Sequence, residues 1–142
     1  MRRVLKPGGR VAFVTWGPFE QPYFTSTIGV ILNLVKGTAV PPGAAAMFKF
    51  GSQGAMAAAL NGAGFLDVKE EFREVPWIWP GLPEELWEYF TEVTVPFRPL
   101  LDSIPAGQRP QVEAKILEGV RHCYDGRQVN LMATIVIGTG RK

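Results

Sequence analysis

Five aromatic residues, Trp16, Tyr23, Phe24, Trp77 and Trp79, stand where the chain leaves its first two expected strands or soon after. In open α/β sheets, ligands bind beyond the carboxyl ends of the strands. These five rings are therefore the candidate substrate-binding residues, suited to an apolar or planar molecule. Phe48, Trp87 and Phe97 lie in segments able to fold over the same rim. The competing reading is ordinary core packing, because large aromatic side chains dominate burial. No residue set marks a catalytic centre. His122, the sole histidine, has the right ordinary pKa for a general base. It sits beside Cys123 near an expected helix end with no acidic orienter close in sequence, so a solvent-facing or capping role is expected. Neighbours on a helix point apart, which argues against a Cys–His nucleophile pair; Cys123 is expected to be a small buried apolar residue. Glu70, Glu71, Arg73 and Glu74 form a charged run expected to be solvated surface. No metal-ligand spacing occurs. Neither a catalytic nor a metal-binding residue is therefore expected.

The elements that must hold these rings follow from pattern. Pro7, Gly8 and Gly9 make a turn, and Val11–Trp16 is an apolar run with little alternation, expected to be a strand covered on both faces. Met1 to Leu5 reads as the last turn of a helix, as though the domain began partway through. Tyr23 to Lys36 carries apolar residues at three- and four-residue spacings and predicts one helix. Pro41–Ala44 reads as a loop. Ser52 is the expected cap of a helix over Gln53–Asn61, with Gly62 and Gly64 as stop signals. Phe65–Val75 mixes apolar and charged residues, as an edge strand does, and Trp77-Ile78-Trp79 is expected to leave it. Pro83, Glu84 and Glu85 open a helix whose buried face is expected to be Leu86, Tyr89, Phe90, Val93 and Phe97. A further helix is expected over Gln111–Tyr124. Val129–Ile137 is apolar nearly throughout and predicts a central strand, followed by a tail from Gly138.

Composition narrows the class. The 142 residues are 46% apolar and 20% charged with a net charge of +2, which is globular composition with no dense basic block. Nucleic acid and membrane are therefore not expected partners. A single cysteine excludes an internal disulfide and fits a reducing cytoplasm. The expected fold is a single α/β domain over residues 1–142.

Three landmarks carry a family resemblance. Val4-Leu5-Lys6-Pro7-Gly8-Gly9-Arg10 before a strand resembles the turn before the fifth strand of class I S-adenosylmethionine-dependent methyltransferases. Leu60-Asn61-Gly62-Ala63-Gly64-Phe65-Leu66-Asp67-Val68 resembles that family's later helix, "AGF" turn and sixth strand. The closing strand with its Gly-Thr-Gly-Arg-Lys end is similar to the seventh, antiparallel strand, which slots between strands five and six. The resemblance covers the whole chain. It implies a partial Rossmann-like methyltransferase sheet, equivalent to strands five, six and seven, with helical insertions that shape an acceptor pocket.

The same resemblance implies what this sequence lacks. In the family, S-adenosylmethionine sits on a Gly-rich turn after the first strand, with an acidic residue after the second. No G-x-G-x-x-G motif occurs here, so no cofactor-binding residue is assigned and the chain alone is expected to bind no donor. The expected function is the substrate-side portion of a methyltransferase, inactive without an N-terminal half. The alternative is a non-enzymatic remnant that dimerises or binds an apolar small molecule or a protein. In the family the fourth strand pairs along the equivalent of Val11–Trp16. Its absence is expected to leave that strand at the sheet edge and to favour a homo-oligomer through it, unless Met1–Leu5 or the Tyr23–Lys36 helix covers the edge.

Overall fold

Lys6, Pro7, Gly8 and Gly9 turn the chain into its first strand, with Gly8 at φ +76°. A computed structural model describes residues 2–142. Among the described residues there are three strands, β1 (Arg10–Trp16), β2 (Leu66–Trp79) and β3 (Val129–Arg141). The helices are α1 (Pro22–Ser26), α2 (Ile28–Leu34), α3 (Pro42–Ala45), α4 (Ala55–Gly62), α5 (Pro83–Val93), α6 (Arg98–Asp102) and α7 (Arg109–Arg121). The strands form one antiparallel sheet in the order β1-β3-β2. The last strand is therefore central, as its apolar run predicts. The chain divides into two compact units, one of Met1–Phe19, Met47–Val75 and Thr134–Lys142, the other of Glu20–Ala46 and Pro76–Ala133.

The first unit is built on the β1–β3 ladder, in which Arg10 lies opposite Arg141, Phe13 opposite Gly138 and Trp16 opposite Ile135. Helix α4 covers one face. Met56, Leu60, Phe65 and Val136 are its buried core, and Leu5, Val11, Phe13, Phe50 and Val68 pack against them. Gly138 and Gly140 let α4 and Phe65 lie close to β3, because an added Cβ would meet Met56 and Phe65 respectively. The other face is not covered as expected. Along β1 exposure alternates, and Arg10, Ala12 and Val14 are exposed, Val14 at 63%. An uninterrupted apolar run reads as two-sided burial, yet among the described residues of this unit α4 is the helix that packs on the sheet. β3 also runs four residues past Ile137, so the glycine-rich expected tail is strand.

The expected cap of α4 is corrected too. Ser52 makes no side-chain cap; Gly54, at φ +84°, precedes the helix instead. The missing acceptor comes from β2. Glu70 accepts hydrogen bonds from the Gly54 N–H at 2.5 Å and the Ala57 N–H at 2.8 Å. A carboxylate at a helix N-terminus satisfies free N–H groups and meets the positive end of the dipole. Glu70 is therefore a tie between strand and helix, where the charged run read as plain surface. Glu70→Ala is expected to cost about 2 kcal/mol, and Glu70→Gln less, measured by urea unfolding.

The second unit is helical around an apolar core. Val112, Ile116, Leu117 and Val120 of α7 are buried as their spacing predicts, alongside Ile28, Ile31, Leu86, Phe90 and Phe97. The single helix expected over Tyr23–Lys36 is two. Thr27 breaks it at φ −114°, ψ −81°, and its hydroxyl donates to the Tyr23 carbonyl at 2.6 Å. Such bonding back to the preceding turn competes with the helix ladder. Pro42–Ala45 is a short helix where a loop is expected. α7 ends at Arg121, short of Tyr124, which makes an isolated bridge to Val129. Tyr89 and Val93 of α5 are exposed, while Phe97 is buried in a separate turn, Val95–Phe97. The expected helical end over Met1–Leu5 is a 3-10 turn at Arg2–Val4; Met1 lies outside the described residues.

Candidate functional site

Most of the candidate rings belong to the second unit, and its elements bring them together. Trp77 and Trp79 are still in β2, which runs to Trp79, so they share one face of the strand. Both are half-buried. Tyr23 on α1 lies 4.6 Å from Trp77 between ring centroids, with the planes 35° apart. Tyr23 also meets Phe24 at 5.0 Å and Phe90 at 5.8 Å, both edge-on. Phe97 closes a circuit, 6.1 Å from Phe24 and 6.4 Å from Phe90. Trp79 pairs instead with Tyr89 of α5 at 4.9 Å. These spacings suit aromatic packing.

Burial sorts these rings by what they can touch. Phe24 is 1% exposed, Phe97 1% and Phe90 2%, so they fill the core. Tyr23, Trp77 and Trp79 keep part of their surface open. Trp16 belongs to the first unit, where it ends β1 half-buried and its carbonyl accepts from the Thr15 hydroxyl at 3.3 Å. The apolar spacing of α5 puts Tyr89 on its buried face; in the structure it is exposed and its ring is tilted 35° against Trp79. The alternation Trp77-Ile78-Trp79 was the available signal that both tryptophans remained in strand.

The ring cluster contains no base poised for neutral pH. Burial, and secondarily Tyr89, pushes the Tyr23 phenol well above its ordinary pKa. The phenol therefore stays protonated and uncharged. The Trp79 indole nitrogen is buried and has no hydrogen-bond partner among the described residues. A Cβ on Gly81 would lie 3.0 Å from that nitrogen and 2.3 Å from Glu85 Oε2, so the space beside it is full. Glu85 itself accepts from the Leu82 N–H at 2.8 Å.

A groove of about 650 Å3 opens on the same helical unit. Trp87 lines it with Leu101, Ile104 and Val112, but seven of its twelve lining residues are charged, Glu88 and Arg98 among them. Trp87 stacks on Phe90 at 5.5 Å with only 16° between the planes. The core ring thus backs a partly open indole. Trp87 is the ring with both rigid support and a groove beside it, a combination that sequence alone could not show.

The remaining candidates resolve simply. His122 is exposed at the end of α7, its Nδ1 2.7 Å from the Glu118 carbonyl oxygen, as a capping histidine would be. Cys123 is half-buried, less than expected. Asp125 organises the turn into β3, accepting from the N–H groups of Arg127 and Gln128 and from the Asn130 amide. Those bonds hold its carboxyl below the usual pKa. Among the described residues no group of three or more His, Cys, Asp or Glu could hold a metal ion, and no helix is long and apolar enough to cross a membrane.

The Gly8-Gly9 turn does not fit an adenosyl donor. The one paired-glycine turn, Gly8-Gly9, precedes β1 and so lies at the amino end of the strand. Its N–H groups are already used, Gly8 donating to the Lys142 carbonyl at 3.1 Å and Gly9 to that of Lys6 at 2.9 Å. A donor cradle needs free N–H groups at a strand's carboxyl end.

No protein-family model matches the chain, and no curated protein matches it.

Proposed function

We propose that these residues are the acceptor-side portion of a class I S-adenosylmethionine-dependent methyltransferase. One observation carries this reading: the last strand is antiparallel and inserted between the two earlier ones, in the order β1-β3-β2. That is the arrangement the resemblance assigns to strands five, seven and six. The order of the landmarks supports it: Lys6-Pro7-Gly8-Gly9 precedes β1, Ala63-Gly64-Phe65 precedes β2, and α4 lies between those strands in the chain. In this reading the helical unit meets the acceptor. The open surfaces of Tyr23, Trp77, Trp79 and Trp87 favour an apolar, planar molecule, and the groove beside Trp87 adds charged groups to its lining. The chain's own contribution is to hold and orient that molecule and exclude water. It supplies no donor site and no neutral-pH base from its ring cluster. A reducing, cytoplasmic setting goes with the single cysteine.

The alternative is a non-enzymatic module that binds an apolar ligand on the same rings; the occupied N–H groups of Gly8 and Gly9 favour it. Calorimetry with S-adenosylmethionine tests the first reading. The chain alone is expected to show no saturable binding. A fusion that places strands one to four of a class I methyltransferase ahead of it is expected to bind the donor. Micromolar binding by the chain alone overturns the assignment. A folded fusion that binds no donor, while planar apolar compounds raise the Tm of the chain, selects the non-enzymatic module.

A further inference from the structure

The two edges of the sheet are treated differently. β2, at one edge, carries Asp67, Lys69, Glu70, Glu71, Arg73 and Glu74. Charges of this kind discourage further strand pairing. β1, at the other edge, carries no charge, proline or glycine after Arg10. Among the described residues β1 pairs only with β3.

The outward-facing groups of β1 follow from its ladder. The Gly17 N–H donates to the Thr134 carbonyl at 2.8 Å, and the Gly9 carbonyl accepts from the Lys142 N–H at 2.9 Å. In an antiparallel pair a residue turns both its N–H and its C=O to the same side, and alternate residues turn opposite ways. Odd-numbered residues therefore face β3. Arg10, Ala12 and Val14 turn their backbone groups to the outer edge. Their side chains are also the exposed ones on the open face.

From this we infer that β1 is a self-pairing edge and that its partner is β1 of a second copy of the chain, antiparallel about a two-fold axis at Ala12. In that register Arg10 lies opposite Val14 of the other copy, Ala12 opposite Ala12, and all three outward residues of each strand are paired. Open face continues onto open face, because a directly opposite pair shares a side. The two Arg10 side chains stand four residues apart, about 14 Å along the strand, beyond the screening length of about 8 Å at physiological salt. A two-fold centred on Phe13 would instead require Trp16, whose carbonyl already accepts from Thr15. This inference concerns the chain on its own: a fourth strand supplied by the fusion above would take the same edge of β1 in place of the second copy.

Sedimentation velocity of the 142-residue chain tests it, read as mass against the 15.6 kDa of one chain. A dimer is expected across the micromolar range. Val14→Lys sets a cation opposite Arg10 of the other copy and is expected to raise the dimer Kd about tenfold or more, since like charges directly opposite destabilise a sheet. Val14→Glu is expected to leave the dimer intact, and Arg10→Glu with Val14→Lys to restore it. Ala12→Cys in a Cys123→Ser background is expected to crosslink on mild oxidation, because paired Cα atoms about 5.5 Å apart are within disulfide reach. Circular dichroism checks that each variant is folded. A monomer throughout overturns the inference and leaves the edge to a strand of another polypeptide. A dimer indifferent to Val14→Lys, or one that Ala12→Cys fails to crosslink, overturns it as well.

Discussion

Phe90→Ala lowers the unfolding free energy of the chain by about 4 kcal/mol, the range for emptying a buried phenylalanine site. Phe90 is 2% exposed and its ring meets Tyr23, Trp87 and Phe97. Three rings around the void cannot all collapse into it, so the cavity cost adds to the lost transfer energy. Each aromatic pair also contributes about 0.5–1.5 kcal/mol beyond its area. The neighbouring change, Tyr89→Ala, is the control. Tyr89 is 44% exposed and its ring pairs with Trp79, so about 1 kcal/mol is expected. Urea unfolding followed by tryptophan emission reads both. Equal losses would show that the cluster is not organised around Phe90. The same variant also bears on the acceptor surface, because Phe90 supports the Trp87 ring.

Gly138→Val costs about 3 kcal/mol, the upper part of the usual range for overpacking. Valine is the better strand former, and on an open face it would help by up to about 1 kcal/mol. Here space decides. A Cβ at Gly138 would lie 2.3 Å from Met56 Cγ, 3.0 Å from its sulfur and 3.2 Å from Leu60 Cδ1. Met56, on the buried face of α4, is 3% exposed, so its side chain has nowhere to retreat. Either α4 lifts from the sheet or the ladder opposite Phe13 distorts. Adding Met56→Ala is expected to make the pair of changes strongly non-additive, by about 1 kcal/mol or more. Additive losses in the double-mutant cycle would sink the steric account.

These two positions show where local pattern sufficed and where it did not. Phe90 was legible as core, because it falls on the apolar stripe of α5 opened by Pro83. Gly138 was not: Gly-Thr-Gly reads as punctuation, and nothing in the adjacent residues says that a helix passes over it. Glu70 was misread for the same reason. A glutamate in a charged run looks solvated until a helix N-terminus from another part of the chain is set beside it. Thr27 broke a helix that apolar spacing had made continuous, because side-chain bonding to the backbone does not enter that spacing.

Of the candidate rings, sequence could name which aromatics follow the strands, but not which would be sealed. Phe24 went into the core, and Trp87 acquired a groove and a stacked support, through packing between helices distant in sequence.

Leu5 to Trp16 holds both outcomes. Its residue types determined a turn and a strand, since Pro7, Gly8 and the β-branched run act through their own backbone preferences. The same local chemistry marked β3 as apolar enough to be central. Tertiary structure alone decided that α4 covers one face of β1, that Ala12 and Val14 stay open, and which backbone groups face outward. Burial and ladder register depend on what lies across from a residue, and that partner comes from the far end of the chain.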